Sequence, residues 1–235
     1  MINHKIAIYI AVLNQGDIRS ELANVLTQYA NQDDYELYIT YPALKPITQN
    51  RNKIVQDFLS KSQFDYLIML DSDNVPPPNL LNLVDYKKDI IGSLYFGYQR
   101  NMIVPFCLEL QKNGLFQVAD LKGKRGLIEC DAIGTGIIVI KRKVLEDERL
   151  RFPFRNEYDK DGIKMLGLDI NFCKRAKELG YKVWLHLDYI SSHWVTMDLK
   201  DIYALILEKD GLEEQLLKMK SQLDDIKQGK ENAIQ

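Results

Sequence analysis

Asp71, Asp73, Asp169, His193 and Arg51 are the residues of this 235-residue chain whose types and settings could do chemistry. Asp71-Ser72-Asp73 closes the apolar run 66–70 and is followed closely by Pro76-Pro77-Pro78. In an extended segment, side chains at i and i+2 project to one side. The two carboxylates then make a hard, anionic oxygen site suited to Mg²⁺ or Mn²⁺ carrying phosphates. The prolines fix φ and withhold backbone donors, which holds the pair at a rigid corner. A plain strand-ending turn is the alternative, because Asp and Asn are favoured in turns. His193, next to Trp194, is either a structural histidine or a third metal ligand beside Asp71 and Asp73. Asp169 opens a helix over 167–180 and reads as an N-cap or as a carboxylate general base at the helix entrance. Arg51 falls in the first turn of a helix starting at Thr48 or Asn50, where the macrodipole disfavours a cation; it either faces an anion or is simply solvated. Gly134 and Gly136 interrupt a strand pattern over 128–141, marking a bulge or a close approach by a ligand or backbone.

The elements that must carry these residues alternate strand and helix. Residues 6–13 and 35–40 read as strands, with a helix between them through Ala23, Leu26 and Tyr29. The helix that carries Arg51 presents Ile54, Val55, Phe58 and Leu59 at helical spacing. The run 66–70 has the continuous apolar character of a strand buried on both faces, and open α/β sheets bind ligands at the carboxyl ends of such strands. Further strands are expected over 89–95, 102–110, 115–118 and 181–187, and an exposed loop over 152–162. There is no G-x-G-x-x-G and no Walker A lysine motif, so the usual dinucleotide and P-loop readings fail.

Composition sets the bounds. With 46% hydrophobic and 27% charged residues the chain is ordinary for a soluble globular protein. Its net charge of −2 gives no sign of a broad nucleic-acid-binding surface. Cys107, Cys130 and Cys173 are widely spaced, which argues against a disulfide framework or a structural zinc site and for small buried apolar side chains. No apolar run approaches the roughly 20 residues of a membrane span. The location expected is cytoplasmic, with peripheral attachment to a membrane as the variant. From 198 onward the composition changes: Ile202, Leu205, Leu212, Leu216, Met219, Leu223 and Ile226 form an a/d stripe, with Lys209 at one seam position. A domain over 1–197 and a C-terminal helix over 198–235 are expected, the helix pairing through 202–226 with a copy of itself or lying on another surface.

The order of these landmarks resembles the GT-A glycosyltransferases, nearest the inverting family 2, over roughly residues 5–194. The stretch 66–78 with Asp71-Ser72-Asp73, the Gly134-Thr135-Gly136 strand, the helix 167–180 and His193-Trp194 carry the resemblance. It implies a Rossmann-like, mainly parallel mixed sheet flanked by helices, binding a nucleotide-diphosphate sugar, usually a UDP-sugar, with Mn²⁺ or Mg²⁺. It implies that Ala11 and Val12 meet the nucleotide and that Arg51 contacts the nucleotide or its phosphates. Asp71 would lie near the ribose or a metal-bound water, with Ser72 beside it. Asp73 would ligate the metal, His193 would complete that site, and Asp169 would be the base that deprotonates an acceptor hydroxyl. Leu168 stands where the family often has Glu, and Ala-Val-Leu-Asn ends the first strand where a Pro-Thr-Tyr-like sequence is usual. A sugar nucleotidyltransferase of similar fold, and an inactive carbohydrate-binding or assembly module, are the competing readings.

Overall fold

The structure is a computed structural model and describes residues 5–99, 102–211 and 213–214. Strands β1 (Ile6–Leu13), β2 (Tyr35–Thr40), β3 (Tyr66–Asp71), β4 (Ile90–Leu94), β5 (Leu127–Cys130), β6 (Ile137–Lys141) and β7 (Val183–Ile190) form one sheet in the order β5-β7-β4-β6-β3-β1-β2. The pairs β1–β2, β1–β3 and β7–β4 are parallel. β6 runs antiparallel to both β3 and β4, and β5 antiparallel to β7. The sheet is therefore mixed with one dominant direction, as the resemblance implies.

Apolar strands buried on both faces divide their side chains between two cores. Along β1, Ala7, Tyr9, Ala11 and Leu13 enter one core, and Ile8, Ile10 and Val12 the other. The first core is closed by α2 (Ile47–Leu59), through Ile54, Val55 and Phe58, and by a helix at Leu168–Glu178, through Phe172, Cys173 and Ala176. The second is closed by α1 (Ser20–Ala30), through Leu22, Val25, Leu26 and Tyr29, and by the 3₁₀ helix Leu80–Tyr86. A short helix, α3 (Arg142–Leu145), follows β6, so the helix Leu168–Glu178 is α4. Burying one side chain the size of Phe58 contributes about 1.5–3 kcal/mol, and the two sandwiched faces repeat that gain many times.

Several details depart from the sequence reading. The strand expected over 128–141 is three strands: β5 and β6 in the main sheet, and Ala132–Ile133 between them in another. Ala132–Ile133 joins a three-stranded sheet with Cys107–Leu110 and Phe116–Val118, whereas β6 lies in the main sheet. The loop expected over 152–162 contains Glu157–Tyr158, one arm of a hairpin with Lys164–Leu166. α2 begins at Ile47 behind Pro46, which places Arg51 in the second turn rather than the first. All three cysteines are free and buried.

The chain divides into two compact units after Trp194. In the second unit residues 199–211 are helical, with Leu199, Ile202, Tyr203, Ile206 and Leu207 exposed. Leu212, Leu216, Met219, Leu223 and Ile226 of the expected heptad stripe lie outside the described residues. Among the described residues no helix is long and apolar enough to cross a membrane.

Candidate active site

The acidic corner is fixed by its neighbours in the sheet. Asp71 is the last residue of β3; its N–H donates to the Gly136 carbonyl at 2.8 Å, and that of Ser72 to the Leu13 carbonyl at 2.9 Å. The chain is thereby pinned to both flanking strands just where the side chains leave the sheet. Arg51, only 3% exposed, rises from α2 beneath this corner. Its Nη2 donates to both Asp71 oxygens, at 2.8 and 2.9 Å, and its Nη1 donates to the Thr135 carbonyl at 3.0 Å. The anion that Arg51 faces is thus the chain's own Asp71, and a guanidinium this buried is not presented to a phosphate. Both Asp71 oxygens accept from Arg51 in this contact, so of the metal set expected with Asp73 and His193, Asp71 is the member tied to the arginine. Among the described residues no three His, Cys, Asp or Glu side chains converge on one point. Burial pushes the Asp71 carboxyl up to about 6; Arg51 works against that shift, while Asp169 and Asp73 add to it.

Asp73 and His193 do meet. The two-residue strand Asn74–Val75 pairs antiparallel with Ser192–His193, and the Trp194 N–H donates to the Asp73 carbonyl at 2.9 Å. This bridge closes a separation of more than a hundred residues and brings His193 Nε2 to 3.7 Å from Asp73 Oδ2. His193 Nδ1 lies 2.8 Å from the Phe96 carbonyl. A carbonyl only accepts, so Nδ1 carries the proton, and in the neutral ring Nε2 offers its lone pair toward the carboxylate. A ligating histidine is characteristically oriented by its other nitrogen in this way. One carboxylate and one imidazole, at a site open to further oxygens, suit a divalent cation that takes its remaining ligands from phosphates and water. The residues present therefore fit Mn²⁺ or Mg²⁺, with Asp73 and His193 as the holders.

Asp169 lies on the other side of the Arg51–Asp71 pair. Gly167, not Asp169, is the N-cap of α4, and it makes no side-chain cap. The Asp169 carboxylate instead accepts from Thr135, whose Oγ1 lies 2.6 Å from Oδ1 and whose backbone N lies 3.4 Å from Oδ2. Thr135 is fully buried between the two glycines. A Cβ on Gly134 would fall 2.0 Å from the Tyr95 hydroxyl, and one on Gly136 would fall 2.9 Å from Asn74 Nδ2 and 3.0 Å from that hydroxyl. The close approach signalled by two glycines in a strand pattern is therefore made by Tyr95 and Asn74. The Tyr95 hydroxyl accepts from the Gly136 N–H at 3.0 Å. Burial, with the Asp169 charge adding, pushes its pKa well up and keeps it neutral.

Two clefts flank this cluster. A cleft of about 720 Å³, polar at Asn14, Gln15, Lys45, Asn50, Asp71, Ser72 and Asp73, is completed by the apolar Leu13, Leu44, Pro46 and Ile47. A second, of about 600 Å³, has Asp169 and Gly134 in its wall. Ala11 and Val12, expected at the nucleotide, are fully buried, one in each core. β1 continues to Leu13, so the residues that reach the polar cleft are Leu13, Asn14 and Gln15. Sequence reasoning also missed Thr135, although a lone polar residue within Ile133–Ile138 was the available signal. It missed Lys45 and Asn74 as well, for which no pattern existed.

No family profile matches the sequence, and no curated protein matches it. Solved structures do. A197 from STIV superposes with a TM-score of 0.58 at 18% identity, over 81% of this chain and 87% of that one. GalNAc-T7, solved with UDP, GalNAc and Mn²⁺, matches with a TM-score of 0.49 at 11% identity, over 82% of this chain; the match spans 44% of that longer chain. A glycosyltransferase involved in the glycosylation of the major capsid of PBCV-1 matches with a TM-score of 0.48 at 13% identity, over 85% of this chain and 98% of that one. What the chain shares with A197 is its fold, a mixed sheet flanked by helices.

Proposed function

We propose that the protein is a metal-dependent glycosyltransferase that moves a sugar from a nucleotide-diphosphate sugar, a UDP-sugar by preference, to an acceptor hydroxyl with inversion. The observation that carries the reading is the placement of two chemically different devices on either side of one buried ion pair. On the polar side, Asp73 faces His193 at 3.7 Å. On the other, Thr135 holds Asp169 at 2.6 Å in the wall of a separate cleft. Donor and acceptor would enter from opposite sides and meet at the cluster between them.

The polar cleft receives the nucleotide, with Asn14 and Gln15 at its edge and the exposed Lys45 placed for the diphosphate. A divalent cation held by Asp73 and His193 would supply neutralisation of the charge that builds on the departing diphosphate. Arg51 does not touch substrate; it fixes the Asp71 side chain and, through the Thr135 carbonyl, the loop that carries Thr135. Asp169 is the general base. The acceptor hydroxyl gives its proton to an Asp169 oxygen while its own oxygen forms the new bond to the anomeric carbon. The bond from that carbon to the diphosphate oxygen breaks on the opposite face, and the electron pair leaves with the nucleotide. Thr135 keeps the base in one rotamer, so that it meets the acceptor already oriented.

Calorimetric titration with UDP, with and without Mn²⁺, tests the reading directly. Binding that strengthens with Mn²⁺ and loses this dependence in Asp73→Ala is the expected result. Asp169→Asn is expected to retain UDP binding and to lose turnover of UDP-sugar by about a hundredfold or more, the scale of general-base catalysis. Metal-independent binding in the parent protein, or full turnover in Asp169→Asn, would overturn the assignment.

A further inference from the structure

The two clefts differ in chemistry, and the difference says what kind of molecule each can hold. The cleft at Asp169 is walled by Phe106, Leu108, Phe116, Val118, Ile133 and Ile170. Among the described residues its only polar side chains are Asn156, Lys164 and Asp169. A volume of about 600 Å³ is ordinary for a small-molecule site. Its wall comes from four elements: the strand Met102–Pro105, the three-stranded sheet containing Cys107–Leu110 and Phe116–Val118, the hairpin strand Lys164–Leu166, and the start of α4. Val118 is 44% exposed although it faces this cleft, as are Met102 at 59% and Leu168 in part. Leu108, Phe116, Ile133 and Ile170 pack against the core on one side, so the apolar surface open to a ligand is the remainder of these side chains together with Met102 and Val118.

From this we infer that the acceptor is an alcohol whose hydroxyl is borne on an apolar body, aliphatic or aromatic, and not a free sugar. The inference rests on the transferase reading, because Asp169 as base is what makes this cleft the acceptor's. A polyol seated here would leave its remaining hydroxyls against Phe106, Leu108 and Ile133, where nothing can hydrogen-bond them. An apolar body would lose water against those same side chains while its single hydroxyl reaches the carboxylate at the inner wall. Asn156 and Lys164 are the groups left for whatever polar substituent such an acceptor carries elsewhere.

The test is a fluorescence titration of the full chain with N-phenyl-1-naphthylamine, a neutral apolar probe, followed by competition with 1-octanol and with glucose. Saturable, blue-shifted emission that octanol displaces and glucose does not is the expected result. Val118→Glu and Val104→Glu, both at partly exposed positions, place a carboxylate against the apolar ligand and are expected to weaken probe binding at least about tenfold, with the thermal midpoint checked on the same samples. Absence of saturable binding, displacement by glucose as effective as by octanol, or undiminished binding in both variants would each overturn the inference. UDP titration of the unmodified protein with Mn²⁺ separates the two layers. Probe binding without UDP binding removes the acceptor role and leaves an apolar ligand site. UDP binding without probe binding removes the apolar acceptor and leaves the transferase.

Discussion

Replacing Arg51 by Met tests whether the Arg51–Asp71 pair anchors the site. Met keeps much of the apolar stem that the buried arginine packs, so the loss falls on the guanidinium. Removing one partner of a buried ion pair typically costs about 3–5 kcal/mol. The Asp71 side chain keeps 29% exposure, and water can partly replace the lost donors, which lowers that term to about 2–4 kcal/mol. The Thr135 carbonyl also loses a donor at 3.0 Å, worth about 1 kcal/mol. The sum is about 3–5 kcal/mol. With a urea dependence of about 2 kcal/mol per molar, the unfolding midpoint should fall by roughly 1.5–2.5 M. The double variant Arg51→Met/Asp71→Asn removes the stranded charge as well and should recover about 1–3 kcal/mol relative to the sum of the single changes. A midpoint shift below about 0.5 M in the single variant, together with simple additivity in the double, would refute the buried-pair account.

Thr135→Val preserves shape and removes the hydroxyl that holds Asp169; a hydrogen bond to a charged group is worth about 1.5–3 kcal/mol. Turnover should fall roughly 10- to 100-fold with UDP affinity unchanged, read from initial rates beside calorimetry. Gly134→Ala drives a methyl to within 2.0 Å of the buried Tyr95 hydroxyl. Denaturant melts should show a loss of about 1–3 kcal/mol, and Tyr95→Phe in the same chain should return part of it. Asp131 tests electrostatics away from the site. Burial works to raise its pKa, but the hydrogen bonds from Lys177 and from the Leu110 backbone outweigh that and hold it below the usual aspartate range. A depressed folded-state pKa stabilises above the unfolded value and ceases to do so as the pH falls through the folded one. Asp131→Asn should therefore melt below the parent protein at pH 7, and the gap should close as the pH drops below 3.8.

The sheet was legible because its strands are doubly buried: runs such as Ile6–Leu13 and Tyr66–Asp71 announce themselves by continuous apolarity. That same continuity hides where a strand stops, which is why Ala11 and Val12 stood for contacts that fall to Leu13, Asn14 and Gln15. The acidic corner could be read because carboxylates interrupt an apolar run and prolines follow. Its internal division could not, since nothing in Asp-Ser-Asp says that Asp71 turns to a buried arginine while Asp73 turns to His193. The helix-end argument for an anion near Arg51 loses its premise, because Arg51 lies in the second turn, and a charge pattern along one helix cannot say whether such an anion belongs to a ligand or to the next strand. Gly134 and Gly136 marked a tight place without naming Tyr95 as its occupant, because a contact across some forty residues of chain leaves no local trace.

Thr135 has a mechanical consequence. Its hydroxyl and N–H hold Asp169 while its carbonyl takes Arg51, and it lies on the crossover where one sheet gives way to another. One residue is thus a common axle for the Asp169 carboxylate and the Arg51–Asp71 pair. A displacement of the Asp169 carboxylate must tug on the arginine under the acidic corner, and settling of that corner must in turn re-aim Asp169, so the two are geared together.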